Sequence, residues 1–373
     1  MKRERPSVES AVVLRPGALG DAVLTLPVLH ALRAAGAREL LILGQPYSWS
    51  FLAASAANSP CPASQSVSRK EARGPAVRVC DSGAPEWMGL FAAGVRLGSE
   101  ARRRVASARL ALVYLAPDRT PAECALREAG VGNVVGITPP LGAERAPPSV
   151  APRSAPASGA RADLFFGAEV CHAARRLLEP LREALGDEAL AAGWRTLSAR
   201  GQDDPLLAVA PRESAAALRS VRVDSLPAAG VLALHPGSGG RTKCWPAEHF
   251  ARLARAAPDR GLTPLALFGP ADAAARQAFQ KAYPQCRQAV DLPLRELVSL
   301  LAASRAYVGN DSGVTHLAAR LCPTLALFGP SDPRVWRPLG PRVETLAAPG
   351  GRMEELDFAL VLSALLELLR IRS

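Results

Sequence analysis

One segment of the sequence combines small polar residues in a pattern that suits phosphate binding. Asp311-Ser312-Gly313-Val314-Thr315-His316 follows an apolar run and opens a helix-like pattern. Backbone N–H groups and the helix dipole converge on such a helix start and favour an anion there. An ordinary helix capped by Asp311 or Ser312 explains the same residues. His316 has two interpretations as well, either a structural histidine or a donor to a phosphate oxygen.

A second phosphate-like segment runs from His235 to Pro246, between an apolar strand and a helix. Within it, Ser238-Gly239-Gly240-Arg241-Thr242-Lys243 supplies glycines, hydroxyls and cations. Lysine occurs only at positions 2, 70, 243 and 281, and its compact ammonium suits phosphate as a point charge. The alternative is a glycine-rich surface loop. Two such helix starts in one domain predict a diphosphate site.

A carboxylate at the start of the first helix is a candidate for proton transfer. Asp21 ends the segment Arg15-Pro16-Gly17-Ala18-Leu19-Gly20-Asp21, which follows the first apolar strand. The functional interpretation makes Asp21 a general base. The structural interpretation makes it a carboxylate that the helix dipole stabilises. Asp272, after the turn Phe268-Gly269-Pro270, is either a ligand for a ribose hydroxyl or a helix cap.

Strands that alternate with helices must position these residues. Such alternation predicts α/β domains with parallel, doubly wound sheets, whose ligands bind at the carboxyl ends of the strands. The sequence predicts an N-terminal domain over 1–224, a C-terminal domain over 225–350 and a closing helix within 351–373. Two Pro- and Ser-rich tracts, 58–75 and 138–162, interrupt the first domain. We interpret the second tract as an insertion and place the linker near 220–230.

Composition narrows the function classes. The 373 residues are 49% hydrophobic, carry a formal charge of +11 and include seven scattered cysteines. These features predict reduced thiols, a cytoplasmic protein without a membrane span or signal peptide, and anionic partners. Nucleic acid is not the expected partner, because aromatic residues make up 5% and the basic residues are dispersed. The spacing of His, Cys and Asp residues predicts neither a metal site nor a hydrolase triad.

The motifs together resemble glycosyltransferase family nine, the ADP-heptose:lipopolysaccharide heptosyltransferases. The resemblance rests on AVVLRPGALGDAVLTLPVLHALR, CHAARRLLEPLREALG, LALHPGSGGRTKCWPAEHFARLA and VGNDSGVTHLAARLCPTLALFGPSDPRVWRPLG, which occur in the family's order. It implies a GT-B fold, with two Rossmann-like domains, a deep cleft between them and a C-terminal helix that returns to the first domain. It also implies inverting, metal-independent transfer of a heptose from an ADP-sugar, a substrate rather than a cofactor, to the lipopolysaccharide inner core.

The resemblance implies roles for individual residues. Asp21 falls on the catalytic base position, and Lys243 is expected to stabilise the departing diphosphate. The remaining residues are assigned to donor binding: Gly20, Ser238, Gly239, Thr242, Lys243, Asp272, Asp311, Ser312, Gly313, Thr315 and His316. The acceptor is expected to be an anionic glycolipid, reached by peripheral contact with the cytoplasmic face of the inner membrane.

Alternative functions stay open at this point. One is a non-catalytic relative that binds a nucleotide sugar, and another is a family member with a different donor or acceptor. An NAD-dependent oxidoreductase is a third class, but the sequence lacks the Gly-x-Gly-x-x-Gly pattern and the acidic residue that should follow it.

Overall fold

A computed structural model describes residues 8–52, 76–139, 165–166, 170–198, 204–221 and 230–370. The chain divides into two compact units. The described part of the first unit comprises 8–52, 76–139 and 173–196, and that of the second comprises the remaining residues. Both Pro- and Ser-rich tracts fall almost entirely outside the described residues, as does most of the predicted linker.

The first unit is built on a five-stranded parallel sheet. Its elements are β1 (Ser10–Leu14), α1 (Leu19–Ala34), β2 (Glu39–Gly44), α2 (Pro46–Trp49), β3 (Ala76–Asp81), α3 (Ser99–Val105), β4 (Leu110–Tyr114), α4 (Thr120–Glu128) and β5 (Asn133–Ile137). A short 3-10 helix spans Pro85–Leu90. The strand order is β3-β2-β1-β4-β5. The order in which the chain adds strands therefore reverses between β1 and β4, and doubly wound folds bind ligands at such a position.

Three further helices complete the first unit after the second irregular tract, although the described strands β6 (Phe165–Phe166) and β7 (Val170–Cys171) before them belong to the second unit. They are α5 (Ala173–Leu178), α6 (Arg182–Leu185) and α7 (Asp187–Arg195). The Tyr114 hydroxyl donates to the backbone oxygen of Leu177 at 3.0 Å. A methyl group on Gly193 would lie 2.4 Å from the carbonyl oxygen of Pro27, so glycine allows α7 to lie directly on α1. These three helices therefore belong to the first unit.

The second unit holds a six-stranded parallel sheet in the order β10-β9-β8-β11-β12-β13. Its elements after β7 are α8 (Pro211–Ser220), β8 (Val231–His235), α9 (Ala247–Ala256), β9 (Thr263–Phe268), α10 (Ala273–Ala282), β10 (Arg287–Val290), α11 (Leu294–Ala303), β11 (Ser304–Asn310), α12 (Gly313–Leu321), β12 (Thr324–Phe328), α13 (Pro333–Trp336), β13 (Val343–Ala347) and α14 (Phe358–Arg370). The order in which the chain adds strands to this sheet reverses between β8 and β11. These two strands precede the two phosphate-like segments.

The predicted boundary at residue 224 is wrong, because α8 belongs to the second unit. Arg295 on α11 donates to the carbonyl oxygen of Ala208 at 2.5 Å and to Glu213 at 3.0 Å. Asp204, which is buried, pairs with the equally buried Arg320 of α12 at 3.4 Å. Through these contacts with α11 and α12, residues 204–220 pack on the second unit.

The closing helix also differs from the expectation. The buried side chains of α14, Val361, Leu365 and Leu368, belong to the apolar core that contains Leu325 of β12 and Val308 of β11. Residues 358–370 therefore pack into the core of the second unit, and the prediction that they pack on the first domain is wrong. The physical reason is the apolar stripe of α14, which covers the sheet that immediately precedes it in the chain.

Candidate functional site

The two phosphate-like segments meet at the carboxyl ends of β8 and β11. His235 ends β8 and Asn310 ends β11, and these strands are hydrogen-bonded neighbours in the sheet. Where the strand order of a parallel sheet reverses, the connections after two neighbouring strands lead to opposite faces and leave a crevice beyond the carboxyl ends of those strands. The site described here lies at this crevice of the second unit.

Asp311 is the residue that links the segments. Its Oδ2 lies 2.7 Å from Nζ of Lys243 and accepts a hydrogen bond from the Ser331 hydroxyl at 2.7 Å. Its Oδ1 lies 3.9 Å from Nε2 of His316. Asp311, His316 and Ser331 are buried, whereas the Lys243 side chain is partly exposed. A buried carboxylate thus fixes a partly exposed ammonium at the start of α12.

The start of α12 is capped by Ser312. Its Oγ accepts a hydrogen bond from the backbone N–H of Thr315 at 3.3 Å and lies 3.0 Å from the Thr315 hydroxyl. The buried Thr315 hydroxyl also contacts the hydroxyl of Tyr307 at 2.9 Å and donates to the carbonyl oxygen of Asn310. The interpretation of this segment as a helix capped by Ser312 is therefore confirmed. A cap of this type leaves other N–H groups of the first turn available to an anion.

Asn310 holds the lysine-bearing loop against β11. Its side-chain amide donates to the carbonyl oxygen of Pro236 at 2.8 Å, and its Oδ1 accepts from the backbone N–H of Trp245 at 2.9 Å. The Ser238 hydroxyl donates to the carbonyl oxygen of Asp311 at 2.8 Å. The loop that carries Lys243 is therefore anchored at both ends. Trp245 is fully buried, so it is a packing residue.

His235 and Asp272 form a buried pair under the same loop. Nε2 of His235 lies 3.0 Å from Oδ2 of Asp272, which also accepts from the Gly269 N–H at 2.7 Å. Burial raises the pKa of the Asp272 carboxyl, but the hydrogen bonds from His235 and Gly269 outweigh it and hold that pKa below its ordinary value. Nδ1 of His235 lies 3.4 Å from the Ser312 hydroxyl. Ser312, His235 and Asp272 therefore form a continuous chain of polar contacts from the cap of α12 to the turn after β9.

Other predicted donor ligands lie around this cluster. Gly313 begins α12 and is half-buried. Thr242 and Gly239 are exposed, and a methyl group added to Gly239 would meet no heavy atom within 4 Å. Thr242 and Gly239 therefore belong to the exposed part of the loop that carries Lys243.

Asp21 and Gly20 lie in the first unit, near the start of α1. Oδ1 of Asp21 is 2.5 Å from Nη2 of the buried Arg15, and Oδ2 accepts from the Ala18 N–H at 3.1 Å. The carboxylate folds over Gly17, where a methyl group would lie 2.4 Å from Oδ2. The Arg15 guanidinium faces the ring of Tyr114 on β4 at 5.8 Å. Burial lowers the pKa of Arg15, although Asp21 and Tyr114 act against that shift.

The structure thus brings together Ser238, Lys243, Asp311, Ser312, Thr315 and His316. Asp272 lies beside this group, in contact with His235. The sequence analysis assigned no role to three supporting residues, which are His235, Asn310 and Ser331. Each follows an apolar strand at its carboxyl end, or lies in the turn after it, and that position was the signal available.

Among the described residues, no group of three or more His, Cys, Asp or Glu side chains is arranged to hold a metal ion. None of the helices described combines the length and apolar character needed to cross a bilayer.

The part of the chain that contains this site matches a known protein family. Residues 200–359 match the sequence model of glycosyltransferase family 9 (heptosyltransferase). Lipopolysaccharide heptosyltransferase 2 of Escherichia coli K12 is 38% identical over 117 residues, which cover 29% of this chain and 33% of that protein. Lipooligosaccharide heptosyltransferase 2 of Haemophilus influenzae is 34% identical over 146 residues, or 36% and 42% of the two chains. The alignments therefore span only about a third to two fifths of these relatives.

Solved structures resemble the whole chain at lower identity. A family 9 glycosyl transferase from Veillonella parvula has a TM-score of 0.68 at 17% identity and covers 98% of this chain and 99% of its own. The E. coli ADP-heptose LPS heptosyltransferase II has a TM-score of 0.61 at 19% identity, with 97% and 99% covered. The E. coli heptosyltransferase WaaC solved with ADP has a TM-score of 0.59 at 17% identity, with 96% and 99% covered. The predicted α/β fold of GT-B type, with two parallel-sheet domains, is confirmed.

Proposed function

Because residues 200–359 match the heptosyltransferase family, we propose that this protein is a glycosyltransferase that moves a heptose from an ADP-activated donor to the lipopolysaccharide inner core. The observation that carries the proposal is the position of the Lys243–Asp311–Ser312 cluster inside the matching segment. The relatives that align there are lipopolysaccharide and lipooligosaccharide heptosyltransferases. One of the structures with the same fold was solved with ADP.

The second unit is proposed to hold the diphosphate of the donor. The Lys243 ammonium and the N–H groups at the start of α12 supply fixed positive charge at the carboxyl ends of β8 and β11. Groups fixed before the reaction stabilise the charge that develops on the leaving diphosphate without reorganising. Asp311 would keep the ammonium in position, and the exposed Gly239 leaves the backbone accessible to a phosphate oxygen.

Asp21 is proposed as the general base of an inverting transfer. Its carboxylate takes the proton of the acceptor hydroxyl while that oxygen bonds to the anomeric carbon. The bond from the anomeric carbon to the diphosphate breaks, and ADP leaves with the electron pair. The contacts with Arg15 and the Ala18 N–H hold the carboxylate in one orientation. The reaction as proposed uses no metal ion or cofactor.

A non-catalytic relative that binds a nucleotide sugar is the second candidate. One observation favours it: Glu213 reproduces the geometry of Asp21 at the start of α8. Glu213 accepts from the Ala210 N–H at 2.7 Å and pairs with Arg295 at 3.0 Å. An acidic residue at this helix position can therefore be a capping group alone.

The acceptor is proposed to be an anionic glycolipid, in keeping with the formal charge of +11. A cytoplasmic location is part of the same proposal. The six cysteines in the described residues are free thiols, which a reducing compartment favours.

Mass spectrometry of transfer products tests the proposed activity. The full chain is incubated with ADP-heptose and core-truncated lipopolysaccharides, with UDP-sugars as the donor control. We expect a mass increase of one heptose from the ADP donor on one truncated acceptor. Failure with every ADP-sugar would contradict the proposed donor. Tight ADP binding without transfer to any acceptor would favour the non-catalytic relative.

A further inference from the structure

The sequence Phe-Gly-Pro occurs in two turns of the second unit. Phe268-Gly269-Pro270 lies at the end of β9, and Phe328-Gly329-Pro330 lies at the end of β12. In the sheet, β9 is the outer neighbour of β8, and β12 is the outer neighbour of β11. The two Phe-Gly-Pro turns therefore flank the pair of strands whose carboxyl ends carry the candidate site.

The turn after β12 presents Ser331 to the site. Ser331 is 4% exposed, and its hydroxyl donates to Oδ2 of Asp311 at 2.7 Å. The same carboxylate oxygen lies 2.7 Å from Nζ of Lys243. A buried carboxylate that turned away would leave one of these partners without its hydrogen bond, and such a loss is costly. The Ser331 hydroxyl therefore restricts the orientation of the carboxylate that holds the ammonium.

The turn after β9 presents Asp272 in a corresponding position. Asp272 is 6% exposed, and its Oδ2 lies 3.0 Å from Nε2 of His235, the last residue of β8. Its Oδ1 lies against Gly237, where an added methyl group would overlap it. Nδ1 of His235 lies 3.4 Å from the hydroxyl of Ser312, which caps α12. Asp272 thus contacts the end of β8 and the start of the loop that carries the lysine.

Each turn is fixed in place by a contact of its own. The Gly269 N–H donates to Oδ2 of Asp272 at 2.7 Å and closes the first turn. The second turn packs on the segment before α14, because a methyl group on Gly329 would lie 2.7 Å from Cγ of the buried Met353. Both turns are therefore held before any ligand binds.

The contacts of Asp272 and Ser331 favour support of other residues over direct contact with a ligand. Little of either side chain is exposed, and the polar atoms of both contact protein partners. As a carboxylate, Asp272 accepts the proton on Nε2 of His235, which leaves Nδ1 to accept from the Ser312 hydroxyl. Both side chains are thus arranged to hold residues that face the site.

We propose that the two Phe-Gly-Pro turns are paired supports of the diphosphate site, in which Asp272 and Ser331 are positioning residues. Ser331 acts through Asp311 on the Lys243 ammonium, and Asp272 acts through His235 on the lysine-bearing loop and the cap of α12. The proposal rests on the proposed function, because it names residues that arrange the same site. It gives Asp272 a role other than contact with a ribose hydroxyl.

Calorimetry with ADP tests the role of Ser331. Ser331→Ala should weaken ADP binding about threefold to tenfold, as expected for loss of one hydrogen bond. In a Lys243→Gln background the same substitution should have no effect, because the ammonium that Ser331 positions is absent. Ser304→Ala is the matched control, since Ser304 is also 4% exposed and donates to the carbonyl oxygen of Leu300 at 2.9 Å. Ser304 begins β11, at the end of the strand away from the site, so its variant should keep the parent affinity.

Two nucleotides test the role of Asp272. Asp272→Asn should weaken ADP and 2′,3′-dideoxy-ADP by the same factor of about threefold to tenfold, because a positioning residue does not touch the ribose hydroxyls. A loss for ADP alone would show that Asp272 binds the ribose and would overturn its positioning role. Asp204→Asn is the control, since Asp204 is a buried carboxylate that pairs with Arg320 near the far end of α12. It should leave both affinities unchanged.

Amide hydrogen exchange of the ligand-free chain separates the supports from the proposed function. Ser331→Ala should speed exchange in residues 311–317, and Asp272→Asn should speed it in residues 235–240, whereas the two control variants should not. If the parent chain binds no ADP, the proposed donor site fails, and faster exchange confined to these segments still supports the role of the turns. Unchanged exchange in both variants would overturn the proposal, as would equal effects of Ser331→Ala with and without Lys243.

Discussion

Nζ of Lys243 lies 2.7 Å from Oδ2 of Asp311, and this contact joins two loops separated by 68 positions in the sequence. Ser331, in a third loop, donates to the same carboxylate oxygen at 2.7 Å. The buried Asp311 carboxylate therefore fixes the partly exposed Lys243 ammonium, and the Ser331 hydroxyl holds the same carboxylate. Such fixed positive charge is what a diphosphate site requires, because it costs no reorganisation when an anion arrives.

Lys243→Gln should weaken ADP binding about tenfold to a hundredfold, as expected for loss of a charge-assisted hydrogen bond worth about 1.5–3 kcal/mol. Calorimetry with ADP measures this change. Lys281→Gln is the matched control, since Lys281 is exposed on α10. Equal affinities for ADP in the two variants would contradict a diphosphate contact at Lys243.

Asp21→Asn should lower the transfer rate about 10²- to 10⁴-fold with little change in ADP affinity, because it removes the proposed base and keeps the size of the side chain. Rate measurements at saturating donor test this. The matched control is Glu213→Gln, because Glu213 also caps a helix and pairs with an arginine. The carboxylate side chains of Asp21 and Glu213 are both 37% exposed.

The comparison of these two variants separates catalysis from capping. Glu213→Gln should keep the full transfer rate, and the two variants should lose similar, small amounts of stability in urea. Nearly full activity of Asp21→Asn would eliminate the base assignment.

Gly237→Ala should destabilise the second unit by about 1–3 kcal/mol, because the added methyl group would lie 1.9 Å from Oδ1 of Asp272 and force the His235–Asp272 pair apart. Gly239→Ala is the control, since its methyl group enters open space. Urea unfolding measures both. We expect Gly239→Ala to keep its stability and to lose ADP affinity, and a stable Gly237→Ala protein would show that the pair tolerates displacement.

Stability should fall in acid because of His172. This residue is fully buried, and its Nε2 donates to the carbonyl oxygen of Arg337 at 2.9 Å. Burial lowers the pKa of its imidazole from 6.5 to about 3, although the hydrogen bond to Arg337 acts against that shift. Below about pH 6.5 the unfolded chain therefore binds a proton that the folded chain excludes until about pH 3, so stability is lost as the pH falls through this window.

The measurement is the free energy of unfolding as a function of pH. His172 should account for a loss of about 2 kcal/mol by about pH 5. His172→Gln keeps an N–H donor for Arg337 and should flatten this part of the profile. His249→Gln should change the slope less, because His249 is only half-buried. An unchanged slope in His172→Gln would show that other groups cause the acid sensitivity.

Most of the second sheet and its helix starts followed from the sequence alone. Apolar runs bounded by glycine and proline indicate β8, β9, β11 and β12, and helical periodicity indicates α11 at Leu294–Ala303. These features are local, because strand and helix periodicity and turn chemistry act over a few residues. The two loops were recognised as phosphate-like for the same reason.

The partners of the site residues came only from the tertiary structure. Asp272 contacts His235, 37 positions away, and Asp311 contacts Ser331, Ser238 and Lys243. The attachment of α8 and α14 to the second unit was also hidden, because an apolar stripe shows that a helix is buried but not which sheet covers it. Sequence therefore determined which residues could bind an anion, and strand order decided which of them meet, since that order places the ends of β8 and β11 side by side.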